Sequence, residues 1–144
     1  MDSNALEKRI TRLEDIEAIK QLKAQYCDIC DDLHNPDRIA SVFAEDGIWE
    51  GGDFGQAKGH EAIRELFAGF RKRFSFSQHN ITNPIIEVDG NRATGIWYIM
   101  GPWTLAADGK EIWMAARYDD DYVKVDGSWK YRHLRVTLRM TADR

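Results

Sequence analysis

The sequence predicts an α+β domain, with helices in its first half and strands in its second. Three observations carry that reading. Residues 4–33 place Leu6, Ile10, Leu13, Ile16, Ile19, Leu22, Tyr26, Ile29 and Leu33 at helical spacing along one stripe. After Phe74 the pattern changes to strand-like runs rich in Val, Ile, Trp and Tyr. The separators of those runs, Asp89-Gly90-Asn91, Asp108-Gly109 and Asp126-Gly127-Ser128, are hairpin signals. Helices segregated from an antiparallel meander define the α+β class.

The elements follow in order. The long first helix ends near Asn35-Pro36, which starts a new helix with Asn35 as N-cap and Pro36 in the first turn. A short helix, "PDRIASVFA", leads through Asp46-Gly47 into a short strand, "GIWEG". The glycine-rich "GGDFGQAKG" reads as a loop or hairpin. "HEAIRELFAGFRKRF" is a helix whose stripe is Ile63, Leu66, Phe67 and Phe70. Four long strands complete the chain: "FSFSQHNITNPIIEVD", "RATGIWYIMGPWTL", "EIWMAARYDDDYVKV" and "WKYRHLRVTLRMT". A curved sheet wrapped around the long helix would leave a cone-shaped pocket between them.

The 144 residues suit one domain, residues 1–144, with enough chain to fold without a disulfide or metal. A net charge of -4 leaves no excess cation for phosphates, so nucleic acid is not the expected partner. No apolar run is long enough to span a membrane, and "MDSNALEKRI" has no signal-peptide core. Cys27 and Cys30 form a CxxC deep inside a helical pattern, where a redox pair would open a helix after a strand. They are expected to be reduced, in a cytoplasmic protein.

Several polar residues fall on apolar elements. Tyr26 lies within the stripe of the first helix. Asp31 and Asp32 stand at its C-terminal end, where the helix dipole disfavours carboxylates. His79 interrupts a strand, and alternation puts it with Ser75 and Ser77, opposite Phe74 and Phe76. A carboxylate beside it would make it a general base near neutral pH. On the last strand Arg132 and Arg135 are candidates to bind negative charge; alternation groups Arg135 and Arg139 with Trp129, Tyr131 and His133. Trp49, Phe54, Trp97 and Trp113 could line a site for a flat or ring-shaped ligand. His34 and His60 read as local residues at a loop and a helix start.

Taken in order, "LEDIEAIKQLKAQYCDICDD", "NPDRIASVFAEDGIWEGG", "KGHEAIRELF", "HNITNPIIEVDGNRATGIWY" and "ARYDDDYVKVDGSWKYRHLRV" resemble the SnoaL-like branch of the nuclear-transport-factor-2-like superfamily. The resemblance covers nearly the whole chain. It implies a cone-shaped α+β barrel: a long helix and two shorter ones against a curved antiparallel sheet. It also implies a homodimer or homotrimer and no cofactor or metal. Dehydratases and a dehydrochlorinase of this superfamily share an Asp–His dyad. By the same resemblance His79 takes the histidine position and Tyr26 a tyrosine position. The aspartate is Asp31 counting forward from Tyr26, or Asp32 counting back from "NPDRIASVF". The family arginine count lands on Leu134, between Arg132 and Arg135. A second aspartate of one dehydratase falls on Gly101.

The expected function is a cofactor-independent lyase acting on a small apolar substrate, aromatic or cyclic, as in the breakdown of aromatic compounds. Water or formaldehyde would be the leaving group. An isomerase or cyclase uses the same parts. The alternative outside catalysis is a ligand-binding or oxygenase-accessory module, in which an Asp–His pair only ties helix to sheet.

Overall fold

The computed structural model describes residues 2–144. The first helix, α1, spans Ser3–Asp31, and the Asp2 carboxylate caps it by accepting the Ala5 N–H at 2.7 Å. Its stripe is covered only in part. Ile19, Leu22, Tyr26 and Ile29 are buried, whereas Leu6, Ile10 and Leu13 are about half exposed or more. Asn35 caps the short α2, Pro36–Ile39, as its sequence predicts, and a 3-10 turn follows at Ala40–Val42. The third helix, α3, His60–Arg73, buries Ile63, Phe67 and Phe70. Its last turn holds Arg71, Lys72 and Arg73, which complement the helix dipole.

Seven strands form one sheet. β1 is Phe43–Glu50, β2 Gln56–Lys58, β3 Phe74–Ser77 and β4 Asn80–Asp89. β5 is Arg92–Leu105, β6 Glu111–Val125 and β7 Ser128–Asp143. The order is β2-β1-β7-β6-β5-β3, with β4 also paired to β5. β4 to β7 make the expected antiparallel meander. The sheet is nevertheless mixed, because β1 pairs parallel to β7. The three helices pack on the concave side of this curved sheet, giving the cone-like α+β architecture that the sequence predicts.

Two irregularities re-aim side chains. The predicted strand "FSFSQHNITNPIIEVD" breaks into β3 and β4, with Gln78 and His79 between them. Pairing with β5 also slips between Phe74 and Phe76, so Phe74 is buried while Phe76 points out, against simple alternation. In β7, Tyr131 opposes Tyr122 and His133 opposes Asp121, which leaves Arg132 as an extra residue. The bulge reverses the alternation beyond it: Trp129 and Tyr131 face inward, then Leu134 and Val136.

One polar cluster is sealed within the core. Lys23 Nζ lies 2.9 Å from Asp120 Oδ2 and 3.3 Å above the Tyr118 ring. Tyr122 donates its hydroxyl to the same carboxylate oxygen at 2.8 Å, and Trp97 Nε1 donates to Tyr122 at 3.0 Å. Burial pushes the Asp120 carboxyl up, while Lys23 opposes that shift.

Candidate active site

The last turns of α1, the buried face of α3 and the curved sheet enclose an apolar cavity. It holds about 480 Å³ of empty space, counting its open mouth. Helices contribute Tyr26, Cys30, Phe67 and Phe70, and the segment after α1 contributes His34. Strands supply Trp49, Phe74, Ile99, Trp103, Met114, Ala116, Tyr118 and Val136. Phe54 comes from the turn between β1 and β2, and His79 from the break between β3 and β4. No arginine or lysine is among these lining residues.

His79 meets Asp31 across 48 residues of chain, with Nδ1 at 2.6 Å from Oδ1. A carboxylate only accepts, so Nδ1 carries the proton and Nε2 is left with a free lone pair. Asp31 also accepts the His79 backbone N–H at 2.9 and 3.1 Å and the Ser77 hydroxyl at 3.2 Å. These donors offset the cost of a carboxylate at a helix C-terminus. The Trp103 ring packs edge-on to the imidazole, 5.0 Å between centroids.

Asp32 has a different environment. It is exposed and accepts from Asn35 Nδ2 at 2.9 Å and Arg38 Nη1 at 3.1 Å, which hold its carboxyl below the usual range. The geometry therefore selects Asp31 over Asp32 as the partner of His79.

Gly101 of β5 fixes the break that carries His79. A Cβ there would stand 1.8 Å from the Gln78 carbonyl oxygen, so only glycine lets β5 approach. Gln78 N–H donates to Pro102 O at 3.1 Å on the same stretch. The position onto which the resemblance would place a second aspartate is thus closed to any side chain here.

Tyr26 lines the cavity and accepts the Trp49 indole N–H at 2.9 Å. Burial holds its phenol far above the usual range, so it keeps its proton. Burial also pushes the Cys27 thiol up to about 12 and raises Cys30 well above its ordinary value. A redox CxxC needs lowered thiol values, and these are shifted in the opposite direction.

His34 is the residue that sequence reasoning missed. It lies 6.0 Å from the His79 ring and between 5.5 and 5.7 Å from those of Phe67, Phe70 and Phe74. Burial is the main cause that brings its pKa down to about 3, with His79 adding to the shift. Leu33 and His34 both have positive φ, 51° and 48°, and neither is glycine. That left-handed step is where the chain after α1 departs from helical geometry, and it has no signature in the sequence.

Besides Asp31 and Asp32, four more expected residues lie outside the cavity lining. Arg135 is turned out by the bulge at Arg132; its Nη2 donates to Asp121 Oδ2 at 3.0 Å and to His133 Nδ1 at 3.2 Å. Arg132 is exposed on β7. Trp97 is buried but serves the Lys23–Asp120 cluster through Tyr122. Trp113 stands on the outer face of β6, more than one third exposed.

Comparison with known proteins agrees with this architecture. The SnoaL-like domain pattern matches residues 11–135. A hexachlorocyclohexane dehydrochlorinase, LinA-type3 of Novosphingobium barchaimii LL02, superposes with a TM-score of 0.86 at 25% identity, covering 94% of each chain. A candidate scytalone dehydratase of Novosphingobium aromaticivorans DSM 12444 gives 0.84 at 25% identity, covering 94% of this chain and 91% of that one. An NTF2-like protein with a cystatin-like fold, also from N. aromaticivorans, gives 0.75 at 23% identity, over 95% and 90%. The first two descriptions name elimination chemistry, which supports lyase-type activity in general terms. With most of its length matched by that pattern, this chain belongs to the SnoaL-like domain family.

Proposed function

We propose that the chain is a lyase that eliminates water, or a small group such as formaldehyde, from an apolar aromatic or cyclic substrate. The observation that carries this reading is the Asp31–His79 bond, which holds His79 in the wall of an apolar cavity. In dehydration, His79 Nε2 takes a proton from a carbon made acidic by a neighbouring carbonyl or aryl group. The C–H electron pair becomes the new π bond as the C–O bond breaks. The leaving oxygen takes the proton back from His79 and departs as water. Asp31 holds the imidazole in the required tautomer and stabilises its cation. Tyr26 and the neutral His34 can donate hydrogen bonds to the leaving oxygen.

The lining favours elimination over its alternatives. An isomerase or cyclase that passes through a discrete enolate needs strong stabilisation of negative charge. The lining offers only neutral donors besides the dyad. A concerted or leaving-group-assisted elimination develops less charge and suits that environment. One observation favours the non-catalytic reading: Asp31 also takes the Ser77 hydroxyl and the His79 backbone N–H, so it ties helix to sheet.

A panel of aryl alcohols and aryl ketone derivatives, followed by mass spectrometry for loss of water or formaldehyde, separates the two. The wild-type chain should convert a member of the panel. His79→Ala should lose about 10²-fold or more in turnover. Turnover unchanged in His79→Ala would overturn the dyad.

A further inference from the structure

Beside the Asp31–His79 bond, three potential metal ligands converge on one side of the cavity. Cys30 Sγ, a ring nitrogen of His34 and a ring nitrogen of His79 all lie within 4.8 Å of one another. Cys30 and His34 are four residues apart, and the His34 N–H still donates to the Cys30 carbonyl at 2.9 Å. His34 lies beyond the end of α1 at Asp31, and that bond closes a non-helical turn that brings its side chain next to Cys30. The left-handed step at Leu33 and His34 carries the chain onward from that turn. Two such residues without glycine store strain that the surrounding packing must hold in place.

His34 is more than nine-tenths buried, and among the described residues neither of its ring nitrogens has a hydrogen-bond partner. His79 commits Nδ1 to Asp31, which leaves Nε2 free to ligate. A carboxylate behind the distal nitrogen is the usual support of a metal-bound histidine. One thiol and two imidazoles form a soft to borderline donor set. It suits Zn²⁺ or Cd²⁺ and disfavours Mg²⁺ and Ca²⁺, which take oxygen. Three protein ligands beside a cavity leave a fourth position facing open space.

We propose that this cavity binds one thiophilic divalent cation through Cys30, His34 and His79, and that its binding silences His79 as a base. The second half rests on the proposed lyase function; the first does not. Binding forms one metal–sulfur and two metal–nitrogen bonds. The Cys30 sulfur gives up its proton to solvent, and no electron is transferred.

The test is titration of the purified, chelator-treated full chain with Cd²⁺, read by the ultraviolet thiolate-to-Cd²⁺ charge-transfer band. Wild type should show the band, saturating at one equivalent. Zn²⁺ should compete it away. Cys30→Ser should abolish it, His34→Phe should weaken binding about tenfold or more, and Cys27→Ser should retain it. Absence of the band in wild type overturns the site, whatever the variants do. So does a band that survives in Cys30→Ser or vanishes in Cys27→Ser when circular dichroism shows that variant folded. In the turnover assay, saturating Cd²⁺ should suppress product; turnover that persists overturns the silencing. A chain with the band but no turnover on the panel counts against the lyase reading and leaves the metal site standing.

Discussion

Asp31 and Asp32 are adjacent carboxylates at one helix end, yet each answers to different partners. Asp31 is selected by Ser77 and His79, which lie 46 and 48 residues away. No local pattern contains that information, so the sequence left both open. Asp31→Asn can turn its amide towards Nδ1 and shift the proton to Nε2, removing the base. Turnover should fall about 10²–10⁴-fold in steady-state assays. Asp32→Asn breaks only exposed contacts with Asn35 and Arg38 and should stay within about twofold of wild type in the same assays. His34 makes a second, thermodynamic prediction. Its folded pKa, about 3, lies below the unfolded value of 6.5. The unfolded chain therefore binds the extra proton between those values. His34 thus contributes stability that is present above pH 6.5 and lost as pH falls towards 3, by at most about 1.4 kcal/mol per pH unit. Urea unfolding should show a smaller loss between pH 7 and pH 4.5 in His34→Phe than in wild type.

At the scale of elements, turn signals were legible and bulges were not. Asp-Gly pairs marked hairpins because those turns need residues tolerant of positive φ, as at Gly90, Gly109, Asp126 and Gly127. The extra residue at Arg132 depends on the match between two strands, and it decides that Arg135 faces out. The same holds for the slip that separates Phe74 from Phe76. Gly101→Ala should therefore be disproportionately harmful. Its Cβ must displace backbone at Gln78, costing about 1–3 kcal/mol and misplacing His79. Thermal melts should show the first effect, and loss of turnover by the still-folded protein the second. The Lys23–Asp120 pair makes a comparable element-level prediction. Lys23→Met leaves a buried carboxylate without its cation, and denaturant unfolding should report a loss of about 3–5 kcal/mol. Adding Asp120→Asn should recover part of it.

For the molecule as a whole, the helix–meander division was legible, but the parallel docking of β1 onto β7 was not, because periodicity says nothing about strand direction. Among the described residues no helix is long and apolar enough to cross a membrane. The outer face of the sheet exposes Phe76, Tyr98, Met100, Trp113 and Met140. Exposed large apolar side chains grouped on one face favour association. We propose that copies of this chain meet there, in the homodimer or homotrimer that the family resemblance implies. Sedimentation equilibrium should show an oligomer for wild type and a smaller species for the double variant Met100→Lys, Trp113→Lys. A wild-type monomer at micromolar concentration would count against this.

The cavity divides its labour between parts of the chain. Asp31 is tied to both the ring and the backbone of His79, so the proposed reaction centre cannot be adjusted without moving the backbone between β3 and β4. Phe54 and Val136 sit on a hairpin turn and on β7, with no hydrogen bond to that pair. Such walls can be exchanged while the base stays where it is. In a lyase of the proposed kind, this division would open new substrates in single steps: volume and shape would drift at the walls, and the dyad would be inherited intact.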